Sequence, residues 1–190
     1  LHSLREGESN TTQPAALSDF VLHRRFLPAL LGGEGGFEMQ AHSLYRPSDV
    51  SADTNTDGIA DGRDLSRISL RADWRRNFYL SNGLQLAVLG ETAADFYTIS
   101  QDALYQGSKT RLHGAVATEL RWPWVKSQSA GASHLIEPVA QLVLASNSRS
   151  SILNEDSVLV EFDEGNLFAL SRFPGSDAVE DGARANLGLN

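Results

Sequence analysis

The sequence predicts an all-β protein, an antiparallel arc of about six or seven strands from a large transmembrane β-barrel. Several stretches alternate apolar and polar residues with a period of two, which indicates strands with two different faces. Most of these stretches are ten or more residues long, whereas strands of soluble sheets usually have about five or six. Their polar faces carry charges that need water, so we expect lipid on the apolar side and a wet lumen on the other.

The composition agrees with this prediction and excludes several other classes. The chain has 190 residues, of which 41% are hydrophobic and 21% are charged, which suits one domain or part of a larger one. It contains no apolar run of about 18 residues, the length that a membrane-spanning helix needs. The net charge of −8 without clustered Lys or Arg argues against nucleic acid as a partner. The chain has no cysteine, which removes disulfides and thiolate metal sites.

The first four strands are expected before residue 100. After an irregular polar start, a weakly patterned strand at about 19–31 leads into a glycine-rich turn. Alternation begins at Phe37 and continues to Arg46, although Leu44 interrupts its phase. The stretches 67–80 and 84–99 then form a long hairpin, because the short turn between them contains glycine, which adopts positive φ freely. Such length is typical of a tilted membrane crossing.

The clearest alternation in the chain lies at 110–124. One face is mainly apolar, with Leu112, Val116 and Leu120, and charged residues such as Arg111 and Glu119 occupy the other. Trp122 and Trp124 near its end fit the aromatic belt of a membrane interface.

A further strand is expected at 134–145, although Pro138 inside it is unfavourable for a ladder of hydrogen bonds. From about 146 to 182 the alternation is lost and acidic residues accumulate. A connection of this length is usually functional or mobile. Alternation resumes at 183–190. Because the chain starts at Leu1 without a secretion signal, we interpret residues 1–190 as a fragment of one outer-membrane β-barrel domain.

A second acidic loop, at about 47–65, contains a candidate calcium motif. Oxygen-bearing side chains stand at positions one, three, five, nine and twelve, and glycine stands at position six, as in a calcium-binding loop. The candidate ligands are Asp53, Asn55, Asp57, Asp61 and Asp64. Aspartate at position twelve reaches less far than the usual glutamate, and no helix flanks the loop. A solvated loop between barrel strands is the alternative, and no other cofactor is indicated.

A ladder of arginines on the polar face is a candidate ligand-binding site. Arg67, Arg71 and Arg75 share one side of the 67–80 strand, and a guanidinium group pairs bidentately with phosphate. The ladder could therefore meet the phosphates of a lipid A headgroup in the lumen. The alternative is that these arginines neutralise carboxylates on neighbouring strands.

No pattern in the chain is typical of an enzyme. The five histidines are scattered without metal-ligand spacing, and no Gly-x-Ser-x-Gly motif occurs. We therefore predict that the protein is not an enzyme.

A series of motifs in the last third of the chain resembles a known family. In order they are Ile-Glu-Pro at 136–138, Glu-Phe-Asp-Glu-Gly-Asn-Leu-Phe at 161–168, Arg-Phe-Pro-Gly-Ser-Asp at 172–177 and Glu-Asp-Gly-Ala-Arg-Ala-Asn at 180–186. They resemble the C-terminal barrel of the lipopolysaccharide-assembly outer-membrane protein family, also called the organic solvent tolerance protein. The similarity is strongest from about 134 to 190 and extends to 43–97.

The resemblance implies a large barrel of the Gram-negative outer membrane that inserts lipopolysaccharide (LPS) into the outer leaflet. It also implies contact with outer-membrane lipid, a lipoprotein plug and the periplasmic bridge proteins of LPS transport. Two alternatives remain open at this point. One is a generic porin or transporter, and the other is a secreted or surface calcium-binding β-rich module. In such a module the apolar strand faces would pack against a second sheet, whereas in a barrel they stay exposed.

Overall fold

The computed structural model describes residues 12–127, 131, 133–148, 152–154, 157, 165–173 and 175–190. The expected irregular start lies largely outside them. The described ranges contain no helix with the length and hydropathy that crossing a membrane requires. Within them the chain forms strands with these bounds: β1 Ala16–Phe26, β2 Glu34–Tyr45, β3 Asp64–Tyr79, β4 Gln85–Ser100, β5 Gly107–Arg121, β6 Trp124–Ser127, β7 Ser133–Ile136, β8 Pro138–Asn147 and β9 Gly182–Leu189.

Seven of these strands form one antiparallel sheet in the order β1-β2-β3-β4-β5-β8-β9, and β6 and β7 form a separate hairpin. Each sheet neighbour is also the next strand of the sheet along the chain. The sheet is not closed on itself, since β1 and β9 lie at its two edges. The all-β antiparallel fold class is confirmed, and the seven strands of the main sheet agree with the expected six or seven. The β6–β7 hairpin is additional to that expectation.

The pairing register keeps the two kinds of residue on opposite faces. On the outward face, Leu70 lies opposite Ala94, which lies opposite Leu112. On the inward face, Ser69 lies opposite Asp95, which lies opposite Arg111. Successive side chains of a strand point to opposite faces, so the alternation in sequence becomes an apolar and a polar side of one sheet.

The apolar side is the exposed one. Leu112 and Val116 are 59% and 58% exposed, whereas Arg111 and Glu119 on the same strand are each 2% exposed. In a water-soluble sandwich the apolar face would be the buried one. The inverted pattern therefore favours a barrel wall over the soluble calcium-binding module.

The end of β5 and the start of β8 differ from the prediction. Trp124 does not continue β5 but pairs with Ile136 in the β6–β7 hairpin. Pro138 does not lie inside a strand but begins β8, where its missing N–H breaks no ladder bond. Its carbonyl instead accepts a hydrogen bond from the Trp122 amide at 3.1 Å. Proline therefore divides the expected 134–145 strand into two elements.

The connections differ greatly between the two ends of the sheet. One end, here called the turn end, carries connections 27–33, 80–84 and 122–137. The opposite end, the loop end, carries 46–63, 101–106 and 148–181. The two acidic segments noted in the sequence thus both connect strands at the same end of the sheet.

Candidate functional site

Polar side chains cover the inward face of the sheet, and many of them are buried although they lie on a single sheet. The inward residues that are 5% exposed or less include Arg67, Ser69, Asp95, Tyr97, Arg111, Glu119, Gln141 and Asn186. They are buried because the connection between β8 and β9 returns across this face. We call its described residues 165–173 and 175–181 the strap.

The strap is fastened to the sheet by a buried group of charges. The Arg67 Nη1 donates to Asp177 Oδ1 at 2.7 Å, and the Tyr97 hydroxyl donates to the same oxygen at 3.1 Å. The guanidinium of Arg111 donates to the backbone carbonyls of Ser176 and Asp177. It also binds Asp95, its direct neighbour across β4 and β5, with Nη2 2.6 Å from Oδ2. We call these residues, Arg67, Asp95, Tyr97, Arg111 and Asp177, the clamp.

The clamp is stable only as a complete set. Two arginines face two aspartates, so its formal charges balance. Removing one partner of a buried ion pair costs about 3–5 kcal/mol, because the other charge stays behind without compensation. The clamp therefore holds the strap in one position on the sheet.

A second attachment lies nearer the turn end. Gln141 Nε2 donates to the Phe168 carbonyl at 2.9 Å and also to Glu119 Oε2 at 3.2 Å. A Cβ at Gly188 would lie 2.8 Å from the Phe168 ring, so only glycine leaves room for that ring. Arg184 also donates to the strap, to the Ala169 carbonyl at 2.6 Å.

An apolar attachment completes the cover at the loop end. Leu153, in the connection that contains the strap, is 1% exposed and packs with Leu44, Leu65, Tyr97 and Ile99. Leu44 interrupts the expected phase of its strand because it lies on the inward face and packs against Leu153. It belongs to a small apolar cluster that the connection covers.

The chain matches the sequence model of a known protein family. The model described as LptD, LPS transport system D, matches residues 5–190. The chain belongs to the LptD family. No curated protein matches it.

Membership in this family supports a role in LPS transport, which the resemblance in the sequence implied. LptD proteins are outer-membrane proteins of Gram-negative bacteria that act in LPS transport and assembly, and LPS is the molecule they handle. It is a family of transport proteins and not of enzymes. The Glu-Phe-Asp-Glu part of the 161–168 motif lies outside the described residues. Asp177, the last residue of the 172–177 motif, is the clamp residue of the strap.

The arginine ladder of this LptD chain lies on the inward face, and each of its members has a carboxylate partner. Arg67 binds Asp177, Arg71 lies 3.4 Å from Glu38, and Arg75 lies 3.0 Å from Glu119. Their accessibilities differ, since the side chains of Arg71 and Arg75 are 36% and 43% exposed and that of Arg67 is 5% exposed. Phosphate binding stays a prediction, and it suits Arg71 and Arg75 better while the strap is in place.

The candidate calcium loop of this LptD chain makes a series of local turns. Gly58, at position six, has φ of 88°, which confirms the sharp turn that glycine allows. Asp53 and Asp57 accept backbone amides of the loop, each at 2.8 Å. Asp64 accepts the Arg46 amide at 2.9 Å instead. Among the described residues, no group of three His, Cys, Asp or Glu converges as a metal site. Calcium binding stays a prediction.

A buried ion pair joins two connections of the loop end. Arg63 donates to Asp102, and both side chains are under 5% exposed. Burial alone would raise the pKa of Asp102. Hydrogen bonds from the Tyr105 and Leu104 amides, at 2.8 and 2.7 Å, together with the Arg63 guanidinium, outweigh burial and lower that pKa below its ordinary value.

The Asp102→Asn variant should unfold at a lower denaturant concentration than the wild type at pH 7. The loss should be about 3 kcal/mol, because Arg63 stays buried without its charge partner. The depressed pKa means that the wild-type contribution is complete above about pH 4 and is lost as the pH falls through the folded pKa. The difference between the two proteins should therefore shrink below pH 4. Urea unfolding of the full-length protein in detergent at pH 7, 5 and 3 measures this difference in the free energy of unfolding.

The exposed Asp49 provides the control, because Asp49→Asn removes a carboxylate from the same end of the sheet and should leave the midpoint unchanged. A destabilisation by Asp102→Asn that was equally large at pH 7, 5 and 3 would contradict the role of this ionisation.

Proposed function

We propose that this chain forms part of the wall of an outer-membrane barrel that inserts LPS into the outer leaflet. The observation that carries the proposal is the inverted burial of the sheet, with apolar side chains exposed and charged side chains covered. Lipid can surround the first set, and a hydrated lumen can surround the second.

The dimensions of the outward face support this function. On β3 the apolar set extends from Ile68 to Phe78, ten residues along one strand. At about 3.4 Å per residue and a tilt of about 40°, that stretch covers about 26 Å, close to the apolar band of about 25 Å in outer-membrane barrels.

A row of hydroxyl side chains borders this band toward the loop end. Ser18, Ser43, Ser66, Thr98 and Ser108 lie opposite one another on five consecutive strands of the sheet. Hydroxyl groups suit the polar interface and not the hydrocarbon. Toward the turn end, Trp122 and Trp124 are 41% and 50% exposed, with ring centroids 5.3 Å apart, as in an aromatic girdle.

The strap fits the same function. In the proposed barrel it lies inside the lumen, where it narrows the channel beside this part of the wall. The family resemblance adds a lipoprotein plug for the remaining lumen and a periplasmic bridge that delivers LPS. A transport barrel of this kind needs no covalent chemistry.

Replacement of the chromosomal copy by variants of the full-length protein tests the proposed function. The readouts are recovery in the outer-membrane fraction, heat-modifiable migration, and the amount of newly made LPS that becomes labelled at the cell surface. We expect depletion of the protein to stop surface labelling and the wild-type copy to restore it. A freely soluble full-length protein, or undiminished surface LPS after depletion, would contradict the proposal.

A further inference from the structure

The outward face carries two arginines that its apolar composition does not explain. Arg24 on β1 and Arg76 on β3 share this face with Phe26 and Trp74. In the part of the chain that the structure describes, neither forms an ion pair with Asp or Glu. The arginines of the inward ladder, by contrast, all have such partners. A cation that faces hydrocarbon is costly, so an anion from outside the chain would stabilise it.

Arg76 is held in a fixed position. Its Nη1 donates to the Leu31 carbonyl at 2.7 Å, and its guanidinium lies over the Phe78 ring, 4.8 Å from the centroid. The side chain as a whole is exposed. A guanidinium has five N–H donors in a planar fork, so the exposed group retains donors for an external acceptor such as a phosphate.

An apolar groove of about 430 Å³ lies on the outward face, and one of its lining residues is Leu31, whose carbonyl accepts the Arg76 hydrogen bond. Gly35, Trp74 and Gly90 follow one another in a single cross-strand row. Gly90 leaves an open space beside the indole, since a Cβ there would meet nothing closer than 3.9 Å, whereas the Phe26 ring covers Gly35, 2.9 Å from where its Cβ would stand. Phe26, Leu31 and Val116 complete the walls of the groove. The Trp74 indole N–H donates to the Gly32 carbonyl at 2.8 Å, which fixes the ring as one wall.

The groove and the cation meet at Leu31. Leu31 is a lining residue of the groove, and its carbonyl accepts the Arg76 hydrogen bond, so an acyl chain in the groove would have its polar end near the guanidinium. Arg24 lies two residues from Phe26 on the same face and adds a second positive charge near the groove. An apolar trough with cations beside it matches a molecule that joins a hydrocarbon chain to an anionic group.

We propose that this groove is a binding site for a glycerophospholipid of the inner leaflet, with an acyl chain along Trp74 and the phosphate on Arg76. The lengths of the connections indicate which leaflet the site faces. Barrel turns are short on the periplasmic side, and the site adjoins the short turns 27–33 and 80–84, so it faces the inner, periplasmic leaflet. The inner leaflet of the outer membrane consists of phospholipid. The inference depends on one part of the proposed function, that the outward face contacts the membrane.

Native mass spectrometry of the full-length protein, purified from outer membranes in detergent, tests the site. Added phosphatidylethanolamine should leave one lipid on the wild type after activation has removed the others. Arg76→Gln should reduce the retained fraction at least fivefold, because the phosphate loses its guanidinium. Gly90→Leu should do the same by filling the groove, and the backbone tolerates a side chain there, since a Cβ at Gly90 would meet nothing closer than 3.9 Å.

Three control variants test whether lipid loss is specific to the guanidinium and the groove and is not caused by any substitution or loss of charge. Arg76→Lys keeps the charge, Gly90→Ala leaves most of the space, and Lys126→Gln removes an exposed charge at the turn end outside the groove. All three should retain the lipid.

Several outcomes would overturn the site. The first is that Arg76→Gln and the wild type retain the phospholipid equally, and the second is that the wild type retains diacylglycerol as well as phospholipid. The others are that inorganic phosphate alone displaces the lipid, or that the site retains LPS in preference to phospholipid. Heat-modifiable migration of each variant separates this failure from that of the proposed function. An inserted protein without bound phospholipid contradicts the site alone, whereas a protein that never inserts contradicts the membrane assignment.

Discussion

The Val116→Arg variant is expected to accumulate outside the outer membrane. Val116 is 58% exposed on the outward face and lies in the row of Trp74, near the middle of the apolar band. An arginine there would face hydrocarbon without a carboxylate beside it. The expected cost is about 2–4 kcal/mol near the bilayer midplane. The measurement is the fraction of full-length protein in the outer membrane with heat-modifiable migration.

The same substitution at the border of the band provides the control for Val116→Arg. Ser66→Arg places an identical charge on the outward face in the hydroxyl row, where the cost should be only about 0–1 kcal/mol. Val116→Ala separates the effect of charge from that of lost side-chain volume. Normal assembly of Val116→Arg would mean that this face does not contact lipid, and the proposed function would lose its main support.

The Asp177→Asn variant is expected to release the strap from the sheet. The substitution keeps the shape of the side chain but leaves Arg67 buried without its carboxylate. About 3–5 kcal/mol of local stability should be lost, which corresponds to amide exchange at least about a hundred times faster. Hydrogen-exchange mass spectrometry of the full-length protein should show this in peptides from 165–181 and not in β3 or β4.

Asp181→Asn is the matched control for the strap. Asp181 is exposed and lies four residues beyond Asp177, so its loss should leave the exchange of the strap unchanged. Cells with Asp177→Asn should also admit large antibiotics that the wild type excludes, because the strap no longer narrows the lumen. Unchanged exchange in the strap of Asp177→Asn would show that the clamp does not hold it.

The sequence alone predicts most of the strands of the sheet. One face of the sheet meets lipid along its whole length and the other meets water or polar groups, so apolar and polar residues alternate. Residues such as Leu112 and Arg111 report directly whether their side meets lipid or water, and the period of two follows from strand geometry. Local chemistry also places the 80–84 turn, where Gly83 has φ of 83°. These features depend only on neighbours in the chain, and alternation is enough to find them.

Features that depend on distant partners are not accessible to that reasoning. Asp177 stands among many acidic residues, and nothing near it in sequence indicates that it binds Arg67. Leu44 is out of phase with the apolar residues of its strand, and its partner Leu153 is more than 100 residues away in the chain. Arg76 is hard to recognise because it stands on the apolar parity of β3 among arginines of the other parity. The period of two, followed along the whole of β3, places it on the outward face between Trp74 and Phe78.

The position of Asp177 in the chain has a consequence for the order of assembly. It follows Arg67 by 110 residues and Tyr97 by 80, and its partners come from three separate strands. The binding site for Asp177 exists only after β3, β4 and β5 have paired. The strands of the wall therefore form first, and the strap binds to them later. During biogenesis the newly inserted barrel would pass through a leaky intermediate, which closes in a slower kinetic phase that Asp177→Asn should abolish.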